Sequence, residues 1–445
     1  MAESFPDGFV WGASTAAYQI EGAVKEDGRG PSIWDTFSHL PDKVSGGETG
    51  DIACDHYHRW PEDLALMREL GIGAYRLSTA WPRILPEGRG RPNPKGLEFY
   101  DRLIDAVMAE GIEPWICLYH WDLPQALEDR GGWQNRDVAS WFAEYSAMTV
   151  RRLGDRVKYW ATFNEPNAAA VLGYAEGVHA PGIRGRTTAL AAIHVMNLAH
   201  GLGVEAVRSE RADLRIGNIY NFHPREPASE HEQDERAAVM LDALWNRSFP
   251  DPQTRGSYPE PLAAEMEALV QPGDFDIIKQ RPDYFAFNHY TRSSTRHDPD
   301  HPFEAGTVPP APGRPVTDMG WEIAPEALRA VLVEVKERYS GNLPVYILEN
   351  GAAFPDRIDE DGRIRDEPRI AYLRDYLAAV LDAIAAGVPV RGYFVWSLLD
   401  NFEWRFGYGK RFGLVHVDFA TLERRLKDSF HFYGELARGA PLERE

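Results

Sequence analysis

Two glutamates in this chain have settings suited to acid–base and nucleophilic chemistry. Glu165 stands in Thr162-Phe163-Asn164-Glu165-Pro166, and Glu349 in Ile347-Leu348-Glu349-Asn350-Gly351. Each closes a short apolar run, with a chain breaker (Pro166, Gly351) close behind. Two carboxyls facing each other across a pocket are the equipment for cutting a glycosidic bond: one protonates the leaving oxygen, while the other attacks the sugar or activates water. The two residues are far apart in the chain, so only a fold can bring them together. Parallel strands closed into a barrel would do so, because all of them end on one face.

The elements needed for such a barrel can be read from the pattern. Apolar runs of strand length occupy 9–14 (with 15–20 as its continuation), 74–79, 113–120, 159–164, 215–221, 283–289, 344–349 and 390–397. Helical periodicity marks 62–70, 97–110, 137–153, 188–209, 325–339 and 369–386. Alternating strands and helices with no Pro/Gly/Ser-rich linker predict an α/β fold. We read it as a single (β/α)8 TIM barrel covering 1–445, with long βα loops at the C-terminal face. The first strand lacks the Gly-rich phosphate turn of an open doubly-wound sheet, since Trp11-Gly12-Ala13-Ser14 follows another pattern. The segments 35–60, 292–320 and 401–412 are expected to be loops overhanging that face.

Composition removes other classes. With 445 residues and 44% hydrophobic content the chain can bury a large core, and a net charge of −20 argues against nucleic acid or an anionic membrane as partner. Two cysteines, Cys54 and Cys117, exclude a disulfide framework and fit a reducing compartment. Cys117 lies in an apolar run and is expected in the core. The first residues lack a secretory pattern and no window approaches the ~20 consecutive apolar residues a membrane helix needs, so a cytoplasmic location is expected. His56 and His58 have metal-pair spacing but no matching Cys or acidic set, so neither metal nor cofactor is expected.

Polar residues at the strand ends form a chemical set. The first run delivers Gln19 and Glu21, the second Arg76, the third His120 and Trp121, and the fourth Asn164 and Glu165. The sixth delivers Asn288 and Tyr290, the seventh Glu349, the eighth Trp396, and the loop beyond it Glu403, Trp404 and Phe412. Amides and acids hydrogen-bond sugar hydroxyls, and indoles stack on the apolar faces of pyranoses. The chain resembles glycoside hydrolase family 1, the β-glucosidase family. The resemblance runs from Phe9-Val10-Trp11-Gly12-Ala13-Ser14 through Gln19-Ile20-Glu21-Gly22, Arg76-Leu77-Ser78 and Tyr119-His120-Trp121-Asp122-Leu123-Pro124. It continues through the Glu165 motif, His179-Ala180-Pro181-Gly182, Glu349-Asn350-Gly351, Asp400-Asn401-Phe402-Glu403-Trp404 and Lys410-Arg411-Phe412-Gly413.

The resemblance implies that Glu349 is the nucleophile and Glu165 the general acid/base of a retaining β-glucosidase. Its partners would be small β-glucosides and oligosaccharides. It further implies that Gln19, His120, Asn164, Glu403 and Trp404 hold the terminal sugar over Trp396. Asn288 and Tyr290 would support the nucleophile region, with Arg76 beneath. Trp121 either touches sugar or only walls the pocket, and Phe412 either borders the sugar or packs its loop. Arg76 and Tyr290 should lower the pKa of Glu349, while burial and negative charge should raise that of Glu165. Retention calls for carboxyls about 5–5.5 Å apart.

Some polar and aromatic residues have simpler readings. Glu21 is read as structural, and Trp11, Trp34, Trp60 and Trp81 as core. Departures from the family pattern are Leu348, His289 and Arg405-Phe406, the last at the pocket edge. A 6-phospho-β-glycosidase is the closest rival, but Glu403 stands where those relatives grip a phosphate and would repel it. A transglycosidase would share the same intermediate. A non-catalytic homologue would be expected to lack one glutamate, and the plant relatives that cleave sulfur glycosides carry Gln in place of Glu165.

Overall fold

The structure, a computed structural model, describes residues 2–444. Eight parallel strands close into a barrel in chain order: β1 Val10–Ser14, β2 Ala74–Ser78, β3 Glu113–Tyr119, β4 Tyr159–Asn164, β5 Arg215–Asn221, β6 Phe285–Asn288, β7 Val345–Asn350 and β8 Val390–Trp396. Strands covered on both faces must be apolar along most of their length, and these are. Inside the barrel Trp115, Cys117, Ala161, Ile219, Tyr346, Leu348 and Phe394 form one packed cluster. Its floor is aromatic, with Trp115 stacked on Tyr159 at 3.9 Å and 3°. The polar chemistry is therefore confined to the upper end of the barrel.

Helices surround the strands. The helix Asp137–Leu153 keeps the bounds its periodicity predicts, and Arg186–Glu210, Pro325–Val335 and Glu367–Ala385 lie close to theirs. The helix predicted at 62–70 begins earlier, at His56, despite Pro61 within it. Helix Arg186–Glu210 is long and apolar enough to cross a membrane by composition, yet 78% of its apolar window is buried. It packs beside Asp137–Leu153 and owes its hydropathy to that burial.

Three expectations need correction. The segment 35–60 is not all loop, since helix Ile33–Ser38 runs into it and helix His56–Leu70 begins within it. Residues 15–20 do not continue the first strand: β1 stops at Ser14 and Ala17–Ile20 is helical, with the Gln19 and Ile20 amides donating to the Ala16 carbonyl. The apolar run reads as strand because this short helix is buried on every side. The segment 292–320 is not all loop. Ser293–His297 and Ala305–Val308 pair antiparallel, and Arg225–Pro227 joins the first of them in a three-stranded sheet. Its polar, partly exposed strands carry no hydrophobic alternation, so the pattern hides them.

Glu21 is structural. Arg83 Nε donates to it at 2.9 Å and Tyr100 Oη at 2.6 Å, in a buried setting. His56 Nδ1 lies 2.8 Å from Asp63, and His58 contacts Asp55 and Glu26. Trp34 and Trp81 are fully buried, Trp11 nearly so, and Trp60 packs on the same core. Both cysteines are buried and free.

Breaking a buried pair leaves one charge uncompensated. Arg83→Met, which strands Glu21, should cost about 3–5 kcal/mol in urea unfolding. An unchanged urea midpoint would show that Glu21 does not depend on Arg83.

Candidate active site

Both glutamates reach the pocket through irregular strand ends. Pairing of β4 with β5 shifts register between Ala161 and Asn164, and β7 shifts against both neighbours beyond Ile347. In a regular strand, residues an odd number of places apart face opposite sides. A bulge suspends that rule and re-aims side chains at a barrel rim. Thus Leu348 packs in the barrel interior while Glu349, level with Asn288, also reaches the pocket.

Glu165 pays for its position in backbone strain. Its φ is 44°, and Trp121 and Trp404 stand at 73° and 50°. Such left-handed conformations cost about 1–3 kcal/mol each in non-glycine residues. Pro166 contributes, because a residue before proline is disfavoured in the right-handed helical region. Gly351 meets a different need. A Cβ there would sit 1.8 Å from the Trp396 carbonyl oxygen, so the ends of β7 and β8 approach closely only with glycine.

A hydrogen-bonded chain joins the two carboxyls. Arg76 Nη1 donates to Glu349 Oε1, and its Nη2 donates to Asn164 Oδ1 at 2.7 Å. Asn288 Nδ2 donates to the same Asn164 oxygen at 3.0 Å and to Glu165 Oε1 at 2.7 Å. Asn221 Nδ2 adds a bond to Glu165 Oε1 at 2.9 Å, and Tyr290 Oη donates to Glu349 Oε2 at 2.7 Å. Asn164 Nδ2 donates to His120 Nε2 at 3.0 Å, which leaves one amide hydrogen of Asn164 unused.

The pocket above this chain has a volume of about 510 Å³. His120, Trp121, Asn164, Glu165, Tyr290, Glu349, Trp396, Glu403, Trp404 and Phe412 all line it. Trp404 is braced by Trp34 at 4.6 Å and Trp121 at 4.7 Å, and Phe412 packs with Trp396 while facing the pocket. Arg76, Asn288 and Gln19 stand behind the lining. Gln19 is fully buried, and its Nε2 donates to Asn401 Oδ1 (3.0 Å) and the Phe402 carbonyl (2.8 Å), tying down the loop that carries Glu403. Gln19 Oε1 and Glu403 Oε2 are buried acceptors without a protein partner, as a site for hydroxyl groups requires. His289 turns to the Phe222 carbonyl at 2.9 Å, and Arg405 and Phe406 line the pocket edge.

Asn288, which the resemblance places in support of the nucleophile region, does hydrogen-bond Glu349, and it also holds Glu165 directly. Asn221 escaped that reading altogether. It closes β5 as Asn288 closes β6, so the same strand-end rule would have found it.

Burial dominates the electrostatics. Burial first, and then the charge of Glu349, push Glu165 up to about 8 against the bonds from Asn221 and Asn288. Burial and both other glutamates push Glu403 to about 8. Glu349 is also raised, contrary to the expected lowering, because burial outweighs the Arg76 charge and the Tyr290 hydrogen bond that pull it down. It is still the carboxyl of the three that touches a cation, and so the one best held ionised. His120 is kept neutral by burial and then by Arg76.

A parallel barrel that gathers carboxyls with unequal partners among amides and indoles at its upper end defines a glycoside-cleaving enzyme. The chain belongs to glycosyl hydrolase family 1, whose sequence profile matches residues 1–440. It is 48% identical over 447 residues to "Beta-glucosidase A" of Thermotoga maritima, covering 99% of each chain. It is 44% identical over 458 residues to the "Bifunctional beta-D-glucosidase/beta-D-fucosidase" of Bifidobacterium breve, covering 97% of this chain and 98% of that one. The solved family 1 β-glucosidase from Thermotoga maritima matches with a TM-score of 0.94 at 47% identity over 100% of both chains. The Thermotoga maritima β-glucosidase in complex with deoxynojirimycin matches at 0.93 with 47% identity, covering 98% of this chain and 99% of that one.

Because the Glu349 charge helps to raise Glu165, Glu349→Gln should lower the Glu165 pKa. Carboxyl ¹³C titration by NMR reads this directly, and a Glu165 resonance that titrates unchanged would disprove the coupling.

Proposed function

We propose that this glycosyl hydrolase is a retaining β-glucosidase acting on terminal β-D-glucosyl residues of cellobiose, short cello-oligosaccharides and aryl β-glucosides. β-Fucosides and β-galactosides are further substrates, the first in keeping with the bifunctional relative. One observation carries the reading: the two carboxyls that line the pocket have unequal partners. Glu349 has a guanidinium and a phenol, one on each oxygen, whereas both side-chain bonds to Glu165 come from amides and fall on Oε1.

The chemistry follows from that inequality. Glu349 attacks the anomeric carbon while Glu165, with Oε2 left to carry the proton, protonates the leaving oxygen. Forming the glycosyl ester neutralises Glu349. That removes the charge which, after burial, does most to raise Glu165, so the acid becomes the base for the incoming water. The remaining hydrogen of Asn164 Nδ2 is available to the sugar 2-hydroxyl, a contact that strengthens in an oxocarbenium-like transition state. Glu403 lines the pocket with a free acceptor and would repel a 6-phosphate, which favours an unmodified glucosyl unit. Two unpaired cysteines fit a reducing, cytoplasmic location.

NMR of the first product released from an aryl β-glucoside should show β-glucose; initial α-glucose would overturn double displacement. The alkaline limb of kcat/KM should lie near pH 8, because Glu165 loses its proton above that value. Asn221→Ala removes a bond that favours the charged form of Glu165, so the limb should move to higher pH. A downward move would mean that another group sets it.

A further inference from the structure

The pocket is lined by two arginines, Arg225 and Arg405, and neither pairs with a carboxylate among the described residues. Arg225 is partly buried and Arg405 is exposed, whereas the buried guanidinium groups of Arg29, Arg76, Arg83 and Arg369 each meet an acid. Arg225 is the more precisely held. Its guanidinium lies 4.9 Å over the Trp245 ring, and its Nη1 donates to Ser293 Oγ at 2.9 Å and Thr307 Oγ1 at 3.0 Å. Its Nε is buried without a partner. Neutral groups therefore orient the cation and leave part of its fork unused.

The carboxylates nearby are engaged elsewhere. Glu176 faces His301 at 3.5 Å, Asp242 accepts from Asn246 at 2.9 Å, and Asp298 accepts from the Asp300 amide at 3.1 Å. Burial draws the Arg225 pKa down to about 10, still far above neutrality, so the group stays charged.

Its position relative to the chemistry is fixed by contacts. Trp245, beneath the guanidinium, donates through Nε1 to Asn221 Oδ1 at 3.1 Å, and Asn221 donates to Glu165. Arg225 thus stands on the side of the carboxyl that, in the reading above, protonates the leaving group. Trp245 is the aromatic ring in contact with the guanidinium, and Leu172, Trp321 and Phe406 line the same pocket.

We propose that Arg225 is a specificity-determining residue on the leaving-group side, and that this arm of the pocket takes an aromatic aglycone bearing a carboxylate. The preferred substrates would be β-glucosides of hydroxyaryl carboxylic acids. The ring packs on the aromatic wall, and the free donors of Arg225 take the carboxylate. A guanidinium matches a carboxylate in charge and in planar geometry, whereas a phosphate dianion would need more donors than this arm offers beside Glu176 and Asp298. The proposal rests on the β-glucosidase reading.

The test compares kcat/KM for meta- and para-carboxyphenyl β-D-glucosides with their neutral carboxamide counterparts, using para-nitrophenyl β-D-glucoside as reference. The carboxamide withdraws electrons more strongly, so leaving-group chemistry alone favours it. In the wild type at least one acid should instead be preferred over its amide by about tenfold, the size of one charge-assisted hydrogen bond. Arg225→Gln should abolish that preference, and Arg225→Lys, which keeps the charge but loses the fork, should retain part of it. An acid-to-amide ratio unchanged in both variants would overturn the proposal while leaving the glucosidase reading intact. Failure of the wild type to cleave the nitrophenyl glucoside would overturn both.

Discussion

The upper end of this barrel depends on one buried positive charge. Arg76 projects from β2 into a space that also holds Glu349, Glu165 and Glu403, all nearly removed from water. Isolated charges are too costly to bury, so the carboxyls compete for the one guanidinium in contact with any of them. Glu349 is in direct contact and is best held as the anion. The other two are pushed toward the neutral form, in part by Glu349 itself. Such groups titrate as a set, and a change at one is felt at the others. The difference between Glu349 and the other two carboxyls is therefore a property of the cluster.

That arrangement demands positional precision, and the structure supplies it with irregularity supported by a rigid frame. Register shifts at the ends of β4 and β7 turn the glutamates into the pocket, and three pocket residues hold left-handed backbone conformations. Two π-helical turns, Val171–Ala175 and Asp242–Arg247, also face the pocket and place Leu172 and Trp245 in its wall. Local strain of this kind persists only where the surroundings over-determine it. Here the packed barrel interior and the aromatic bracing of Trp404 do so.

Much of this was legible in the chain. The eight strands fall where apolar runs end in turn residues, because a strand buried on both faces must be continuously apolar. Glu165, Glu349, Tyr290 and Trp396 follow from the strand ends for the same reason. Helix Ala17–Ile20 and the sheet of Arg225–Pro227, Ser293–His297 and Ala305–Val308 did not show. The first is buried all round and reads as strand, and the second is too polar and exposed to alternate. Asn221 closes β5 as Asn288 closes β6, so the same local rule reaches it.

The residue types and their places at strand ends were determined by the sequence alone, since periodicity and turn chemistry are local. Tertiary structure alone decided their relations. It set Glu349 apart from the other acids, because only that carboxyl meets the Arg76 guanidinium in the shared dry space. It raised Glu349, which local reading expected to be lowered, because burial is a property of the whole fold. It placed Asn288 between Glu349 and Glu165, and it set Arg225 above Trp245, whose indole bonds Asn221. Those outcomes depend on distances between residues far apart in the chain, and no local pattern encodes them.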